Sequence, residues 1–204
     1  MSTKTVPPAT NLALIAVFAA LISAFSLAPA IPVGALAVPI TLQTLAVALT
    51  GLILGPWRAF AATALYLLVG FAGLPVFAGG ASGLGSFAKP SIGYLLSFPV
   101  AALVCGWLAR AFLRRFPDRQ WLWLFAAGFA ASILVIHPAG IVGMSVVANL
   151  PLMKAAVIDL AYWPGDIIKN AIAATVAVAV HRAFPELLGS AASRQERAEC
   201  APVR

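Results

Sequence analysis

Apolar residues dominate six long segments of the chain, which are separated by short breaks containing glycine, proline and charged residues. The segments cover residues 11–28, 41–54, 57–71, 92–113, 121–144 and 163–184. Each is apolar enough to lie in a lipid bilayer, where a single segment satisfies its own backbone hydrogen bonds only as a helix. The pattern therefore predicts an all-α integral membrane protein, a compact bundle of six transmembrane helices.

The second and third segments are short, because a complete crossing of the hydrocarbon takes about 20 residues. They are separated by Gly55-Pro56, a strong helix breaker. Two interpretations stay open: residues 35–40 extend the second helix, or the short helices leave the bilayer early. Residues 150–160 predict a further short helix at the membrane interface.

Composition supports a membrane protein and argues against a soluble one. Hydrophobic residues make up 62% of the chain and charged residues 9%, whereas a soluble domain carries roughly 25% charged residues. Mean hydropathy is +1.00. We expect residues 1–184 to form one membrane domain and the polar residues 185–204 to form a flexible tail.

Basic residues are unevenly distributed between the two ends of the predicted bundle. Ten of the 13 fall on the side of the termini, namely Lys4, Arg58, Arg110, Arg114, Arg115, Arg119, Arg182, Arg194, Arg197 and Arg204. Lys89, Lys154 and Lys169 fall on the other side. Since basic loops stay in the cytoplasm, this asymmetry places both termini there. The same clustering at segment ends explains the net charge of +7 without nucleic-acid binding.

Polar groups from three separate stretches converge on the predicted outer end of the bundle. They are the segment Val38-Pro39-Ile40-Thr41-Leu42-Gln43-Thr44, the glycine-rich run 74–85, and the start of the last segment, Pro164-Gly165-Asp166-Ile167-Ile168-Lys169. Irregular backbone at membrane depth is tolerated only where protein or a water-filled cavity covers it. These stretches therefore predict a pocket that opens to the outside.

Asp166 and Lys169 are the leading candidates for ligand binding. Pro164 suits the first turn of a helix, and Asp166 then meets the positive end of the helix dipole. Lys169 lies three residues further on the same face, where a cation opposes the dipole. Ionisable groups in membrane segments usually face an interior or a cavity. The pair either binds a ligand or is a self-satisfied ion pair at the membrane surface, and we favour the ligand.

Weaker candidates lie in the same region, and each has a purely structural alternative. Gln43 either binds the ligand or joins two helices, and Thr41 either contacts the ligand or caps a helix. Gly79 and Gly80 allow backbone to approach a small molecule, or belong to a plain flexible loop. Three further residues complete the set: Phe77 as a cover for the ligand, Lys89 as an attraction for acidic substrates or a water-facing side chain, and Asn149.

The first segment carries Ala16, Ala20 and Ala24 at a spacing of four residues. Small residues at this spacing let another helix approach closely. The partner is either another helix of this bundle or a separate membrane protein. His137, inside the fifth segment, is interpreted as a helix contact.

Absent motifs restrict the chemistry. The sequence has no P-loop, no H-E-x-x-H, no G-x-S-x-G and no Cys/His cluster, and its two cysteines, Cys105 and Cys200, have no metal-binding spacing. We therefore expect no enzyme activity, no cofactor and no metal.

At these positions the sequence resembles the BioY family, the biotin-specific substrate-binding components of energy-coupling-factor transporters. The resemblance covers about residues 11–184 and rests on residues 38–45, 70–80, 83–85, 90, 93–94 and 164–169. It implies a six-helix bundle in the bacterial cytoplasmic membrane that captures biotin from outside. By the same resemblance, Asp166 and Lys169 contact the vitamin, and the loop 75–85 covers the site.

The resemblance also implies partners. The face of Ala16, Ala20 and Ala24 would meet a transmembrane coupling protein, and separate ATP-binding cassette subunits would hydrolyse ATP. A solitary secondary transporter or facilitator for biotin or a related vitamin is the alternative. An ion-coupled transporter would usually need more intramembrane acids and inverted repeats than this sequence shows.

Overall fold

The computed structural model describes residues 8–31 and 38–184, and these residues form helices and no strand. The helices are α1 Pro8–Ser26, α2 Gln43–Leu54, α3 Pro56–Phe71, α4 Ile92–Arg115, α5 Gln120–Ala131, α6 His137–Val147, α7 Leu152–Asp159 and α8 Trp163–Ala183. The all-α prediction is confirmed. The predicted tail, 185–204, lies outside the described residues.

Three helical stretches are long and apolar enough to cross a membrane by themselves. They are Pro8–Ser26, Ile92–Arg115 and the combined stretch Pro117–Val147, and Gln43–Leu54 is a shorter apolar helix. Each of the six predicted segments coincides with a helix or, for the fifth, with α5 and α6 together. The short helix expected within residues 150–160 is α7. A membrane protein is therefore confirmed, while six complete crossings and cytoplasmic termini stay predictions.

Helix α4 packs against α2, α3, α5 and α6, so it forms the centre of the bundle. Glycines allow its backbone to come very close to its neighbours. A Cβ on Gly106 would lie 2.6 Å from backbone atoms of Gly55 and Pro56, and a Cβ on Gly51 would lie 2.8 Å from Cys105 Cβ. This close approach fixes the position of the short helix α2 against the centre of the fold.

Helix α2 spans only 12 residues, or about 18 Å at 1.5 Å per residue, whereas the hydrocarbon is about 30 Å thick. A six-span bundle therefore requires the non-helical residues before α2 to cover the rest of this crossing. The last carbonyls of α2 are satisfied from neighbouring helices. His181 Nε2 lies 2.9 Å from the Leu52 carbonyl, and Arg110 Nη2 donates to the Leu54 carbonyl at 3.4 Å. Charged and polar side chains thus replace the water that would otherwise meet these groups.

The chain before α2 is not helical. Ile31 and Ile40 exchange backbone hydrogen bonds of 2.9 and 2.8 Å, and residues 38–42 follow an irregular path into the bundle. The helix begins at Gln43, so Thr41 is not its cap. Of the predicted extension 35–40, residues 38–40 are not helical, and residues 35–37 lie outside the described residues. The irregular backbone therefore lies beside the helices and leaves space at the start of α2.

Helices α5 and α6 are joined by a π-helical turn at Ser132–Ile136. Pro138 follows directly and lacks the N–H that an α-helix would use. A π turn changes the direction in which the following side chains point around the helix, and such turns are frequent at functional sites. Here it places His137, which is only 2% exposed, in the interior of the bundle.

The close contact at Gly106 generates a prediction about stability. Gly106→Ala should destabilise the protein by about 1–3 kcal/mol, because the added methyl group meets backbone that cannot rotate away. Thermal unfolding in detergent measures this. Gly85→Ala is the matched control, since a Cβ there meets nothing within 4 Å. Equal melting temperatures for the two variants would contradict the packing described.

Candidate functional site

A cavity of about 380 Å³ lies between α2, α4, α8 and the loop after α3, within the common size range of small-molecule sites, about 300–1,000 Å³. Apolar walls come from α4, from the loop and from the segment before α2. Polar groups come mainly from the starts of α2 and α8. The lining residues used below are Thr41, Gln43, Thr44, Phe77, Ser86, Lys89, Asp166 and Lys169.

The closed end of the cavity is formed by a buried ion pair from the first two turns of α8. Lys169 Nζ lies 2.5 Å from Asp166 Oδ1, and the two residues are 9% and 4% exposed. Lys169 also donates to Thr44 Oγ1 at 2.7 Å and to the Thr41 carbonyl at 3.3 Å, while Thr44 donates to Asp166 Oδ1 at 3.1 Å. The pair therefore ties α8 to the irregular backbone before α2.

A second polar group is organised around the Tyr66 hydroxyl on α3. Gln43 Nε2 donates to it at 2.6 Å, Ser26 Oγ lies 3.1 Å away, and the hydroxyl donates to the Val76 carbonyl at 3.3 Å. Gln43 thus joins helices, as its structural alternative predicted, and also lines the cavity. Tyr66 fixes the Gln43 amide in one orientation beside the ion pair.

The glycine-rich loop forms an ordered cover over one side of the cavity. Phe77 is 3% exposed and packs against Gly70, where no Cβ could fit beside its ring. Its N–H donates to the Ala81 carbonyl at 3.0 Å, across a turn in which Gly79 and Gly80 have φ of 68° and 73°. Such positive φ values favour glycine, so these two residues shape the turn that holds Phe77 in place.

The cavity is more exposed where the loop between α3 and α4 lines it. Lys89 lines it with an exposed side chain and has no ion-pair partner among residues 8–31 and 38–184. Ser86 is buried, and its hydroxyl has no hydrogen-bond partner within the same described residues. These two groups can form polar contacts with a molecule that reaches the mouth of the cavity.

Two ionisable residues that were not predicted as site residues lie behind Asp166. His137 Nδ1 lies 2.9 Å from Asp159 Oδ2, and His137 Nε2 lies 3.3 Å from Asp166 Oδ2. Asp159 also accepts hydrogen bonds from Tyr94 at 2.6 Å and from Trp163 at 3.0 Å. The available signal was the presence of ionisable residues within apolar sequence, which usually marks a function.

The structure brings most of the predicted site residues together. Six of them line the cavity: Thr41, Gln43, Phe77, Lys89, Asp166 and Lys169. Gly79 and Gly80 are exposed and lie beside the cavity without lining it. Asn149 is exposed, has a φ of 51° in the turn after α6, and does not line the cavity either. Thr44 and Ser86 were not among the predicted site residues but belong to the lining.

Comparison with known proteins identifies the family. The model of the BioY family matches residues 1–186, which is most of the chain. The chain belongs to the BioY family. The predicted resemblance is thereby confirmed, and the BioY match includes every residue of the cavity lining.

Individual BioY relatives match over nearly their full length. The biotin transporter BioY of Rhizobium etli is 38% identical over 179 residues, covering 87% of this chain and 96% of that protein. BioY of Rhodobacter capsulatus is 38% identical over 190 residues with the same coverage of 87% and 96%. The crystal structure of the S-component for biotin from an ECF-type ABC transporter matches with a TM-score of 0.79 and 25% identity, covering 89% of this chain and 95% of that one.

The hydrogen bonds of Tyr66 generate a prediction about the order of the site. Tyr66→Phe should destabilise this BioY protein by about 1–3 kcal/mol, because it leaves the buried Gln43 amide without its short partner. Trp121→Phe is the comparison variant, since it removes a single hydrogen bond, from the indole N–H to the Thr175 hydroxyl, at the exposed surface of the bundle. Thermal unfolding of both in detergent should rank Tyr66→Phe as the less stable. The reverse order would contradict the role given to Tyr66.

Proposed function

We propose that this BioY protein lies in the cytoplasmic membrane of a bacterium and binds biotin with high affinity from the outer side. It serves as the substrate-capture component of an ATP-driven ECF transporter. Its BioY relatives are named biotin transporters, and the matching crystal structure is a biotin S-component. The observation that carries the proposal is the buried Asp166–Lys169 pair at the closed end of a ligand-sized cavity. The activity is transport and not catalysis.

The chemistry of the closed end suits the ureido ring of biotin, which has two N–H donors and one carbonyl acceptor. The Asp166 carboxylate can accept from a ureido N–H. All three N–H groups of Lys169 have acceptors, and the longest of these contacts is the 3.3 Å hydrogen bond to the Thr41 carbonyl. We infer that the ureido carbonyl shares the Lys169 N–H of this longest contact when biotin binds, so that the Thr41 carbonyl keeps its donor.

The remaining lining suits the rest of the ligand. The apolar ring and chain of biotin would pack against Phe77 and the walls contributed by α4, with Gln43 beside the ring. The ligand carboxylate would then reach the open end, where the Lys89 ammonium and the Ser86 hydroxyl are free to bind it. Lys169 is less suited to that role, because Asp166 already neutralises it.

We further propose that residues 1–184 form one six-span membrane domain with both termini in the cytoplasm and residues 185–204 as a cytoplasmic tail. Arginines lie at the end of the bundle away from the cavity: Arg58 in the first turn of α3, Arg114 and Arg115 in the last turn of α4, and Arg182 in the last turn of α8. The positive-inside rule supports a cytoplasmic position for this end, and hence an outward cavity.

Energy for uptake would come from separate subunits, because the sequence lacks a P-loop. Ala16, Ala20 and Ala24 are all exposed on one face of α1. Small exposed side chains allow close approach of a helix from another membrane protein. We propose that this face meets the transmembrane coupling protein that links the chain to the ATPases.

The binding site is tested by Asp166→Asn and Lys169→Ala. Each should weaken biotin binding by about tenfold to a hundredfold, because each removes a charged hydrogen-bond partner worth about 1.5–3 kcal/mol. Titration of purified protein with biotin measures this, with thermal unfolding as the check on folding. Lys154→Ala is the matched control, since Lys154 is exposed and outside the cavity. Full affinity in both site variants would refute the proposed site.

The docking face is tested by Ala20→Trp. The bulky ring should leave biotin binding unchanged but reduce ATP-dependent uptake and recovery of the complex with the coupling protein, because it keeps the two helices apart. Leu134→Trp is the control, since Leu134 is 67% exposed on another part of the bundle. Normal uptake by Ala20→Trp would show that the coupling protein docks elsewhere. Uptake that persists without any ATPase would favour the solitary transporter.

A further inference from the structure

Four ionisable side chains lie in one buried row that runs inward from the cavity: Lys169, Asp166, His137 and Asp159. Their exposed fractions are 9%, 4%, 2% and 1%, respectively. Two carboxylates therefore share a single lysine. Since an uncompensated buried charge is very costly, the row either gains one more positive charge or has one protonated carboxyl group. The Tyr94 hydroxyl and the Trp163 N–H both donate to Asp159 and favour its ionised form, which leaves a further positive charge as the way to balance the row. The other titratable side chains that face it in the described part of the chain are the phenols of Tyr94 and Tyr162, and neither is a cation.

The geometry of His137 shows where that charge can reside. One ring nitrogen faces Asp159 at 2.9 Å, and the other faces Asp166 at 3.3 Å. A neutral imidazole has one N–H donor and one bare nitrogen, so it would direct a lone pair at one of the two carboxylates. The imidazolium has two N–H groups: Nδ1–H can donate to Asp159, and Nε2, which is buried and makes no hydrogen bond of good geometry within the described residues, lies within ion-pair distance of Asp166. Its charge also balances the row, with two cations against two anions.

We propose that His137 carries a proton on both ring nitrogens and acts as a positioning residue, which holds the Asp166 carboxylate in the orientation that biotin requires. This proposal rests on the proposed function for its ligand, but the state of His137 is a property of the empty protein. His137 does not line the cavity, so it acts through Asp166 and not by touching biotin.

The hydrogen bonds to Asp166 explain what this positioning achieves. Oδ1 of Asp166 accepts from Lys169 and Thr44, and Oδ2 faces His137. A carboxylate has about four lone-pair sites, so one site on Oδ2 remains for a ligand N–H. Without His137, the carboxylate can rotate about its last bond and this remaining site loses its fixed direction.

Asp159 is the fixed anchor of the row. Its carboxylate accepts from the Tyr94 hydroxyl and the Trp163 indole N–H as well as from His137. Tyr94 itself cannot shift, because its ring packs directly on Gly140, where no Cβ could fit. Tyr94 on α4 and Trp163 on α8 thus fix the position of Asp159. Asp159 in turn orients His137, and His137 orients Asp166.

The protonation of His137 is tested directly by ¹⁵N NMR of histidine-labelled, full-length protein without ligand at neutral pH. The chain has two histidines, so a His181→Gln variant leaves His137 as the only signal. We expect two ring nitrogens that both carry hydrogen. A spectrum with one bare ring nitrogen would overturn the proposal, whether or not the protein binds biotin.

The positioning role is tested by biotin titration of His137→Gln and Asp159→Asn. Each should weaken binding by about tenfold to a hundredfold, the range for a lost hydrogen bond to a charged group. His181→Gln, at the far end of α8, should bind normally. Wild-type affinity in His137→Gln would overturn the positioning role of His137. If His137→Gln does not fold, wild-type affinity in Asp159→Asn would overturn that role instead. Failure of the unmodified protein to bind biotin would instead refute the proposed function.

Discussion

The site depends on the hydrogen bonds that hold a non-helical stretch of backbone, residues 38–42, inside a bundle of apolar helices. This backbone has carbonyls that no helix satisfies, and Lys169 and Tyr162 donate to two of them, those of Thr41 and Val38. An unpaired carbonyl in lipid would cost several kcal/mol. Because α2 is short and begins only at Gln43, the same arrangement leaves a cavity at one end of the bundle. The donors that satisfy the backbone are thus also walls of the site.

Buried polar groups lie in two separate regions, one at each end of α8. At one end of α8, Asp166 and Lys169 form the closed end of the cavity, while at its other end His181 contacts the Leu52 carbonyl in the last turn of α2. Between them, α2 and α4 pack through glycine contacts that leave no space for water. A buried polar group without a partner is costly, so the hydrogen bonds from Lys169 to the Thr41 carbonyl and between His181 and the Leu52 carbonyl favour one relative position of α2 and α8.

Sequence reasoning predicted the helical class, the six apolar segments and six residues of the cavity lining, because long apolar runs and unusual polar residues are local signals. Asp166 and Lys169 were recognisable from their position at a helix start. His137 and Asp159 were not recognised as a pair, since they lie on different helices and only the π turn before His137 brings them together. Asn149 was predicted at the same end of the bundle as the other site residues, but the turn after α6 leaves it exposed and outside the cavity lining. Side-chain direction at the end of a helix does not follow from sequence spacing.

The central claim is that the buried end of the cavity recognises the ureido ring and the open end recognises the carboxylate. Competition binding with two analogues tests this most directly: 2-iminobiotin, changed only at the ureido carbonyl, and biotinamide, changed only at the carboxylate. We expect a large loss of affinity for 2-iminobiotin, because its cationic ring meets Lys169, and a small loss for biotinamide, because exposed ion pairs contribute about 0–1 kcal/mol. Tight binding of 2-iminobiotin together with loss of biotinamide binding would contradict the central claim.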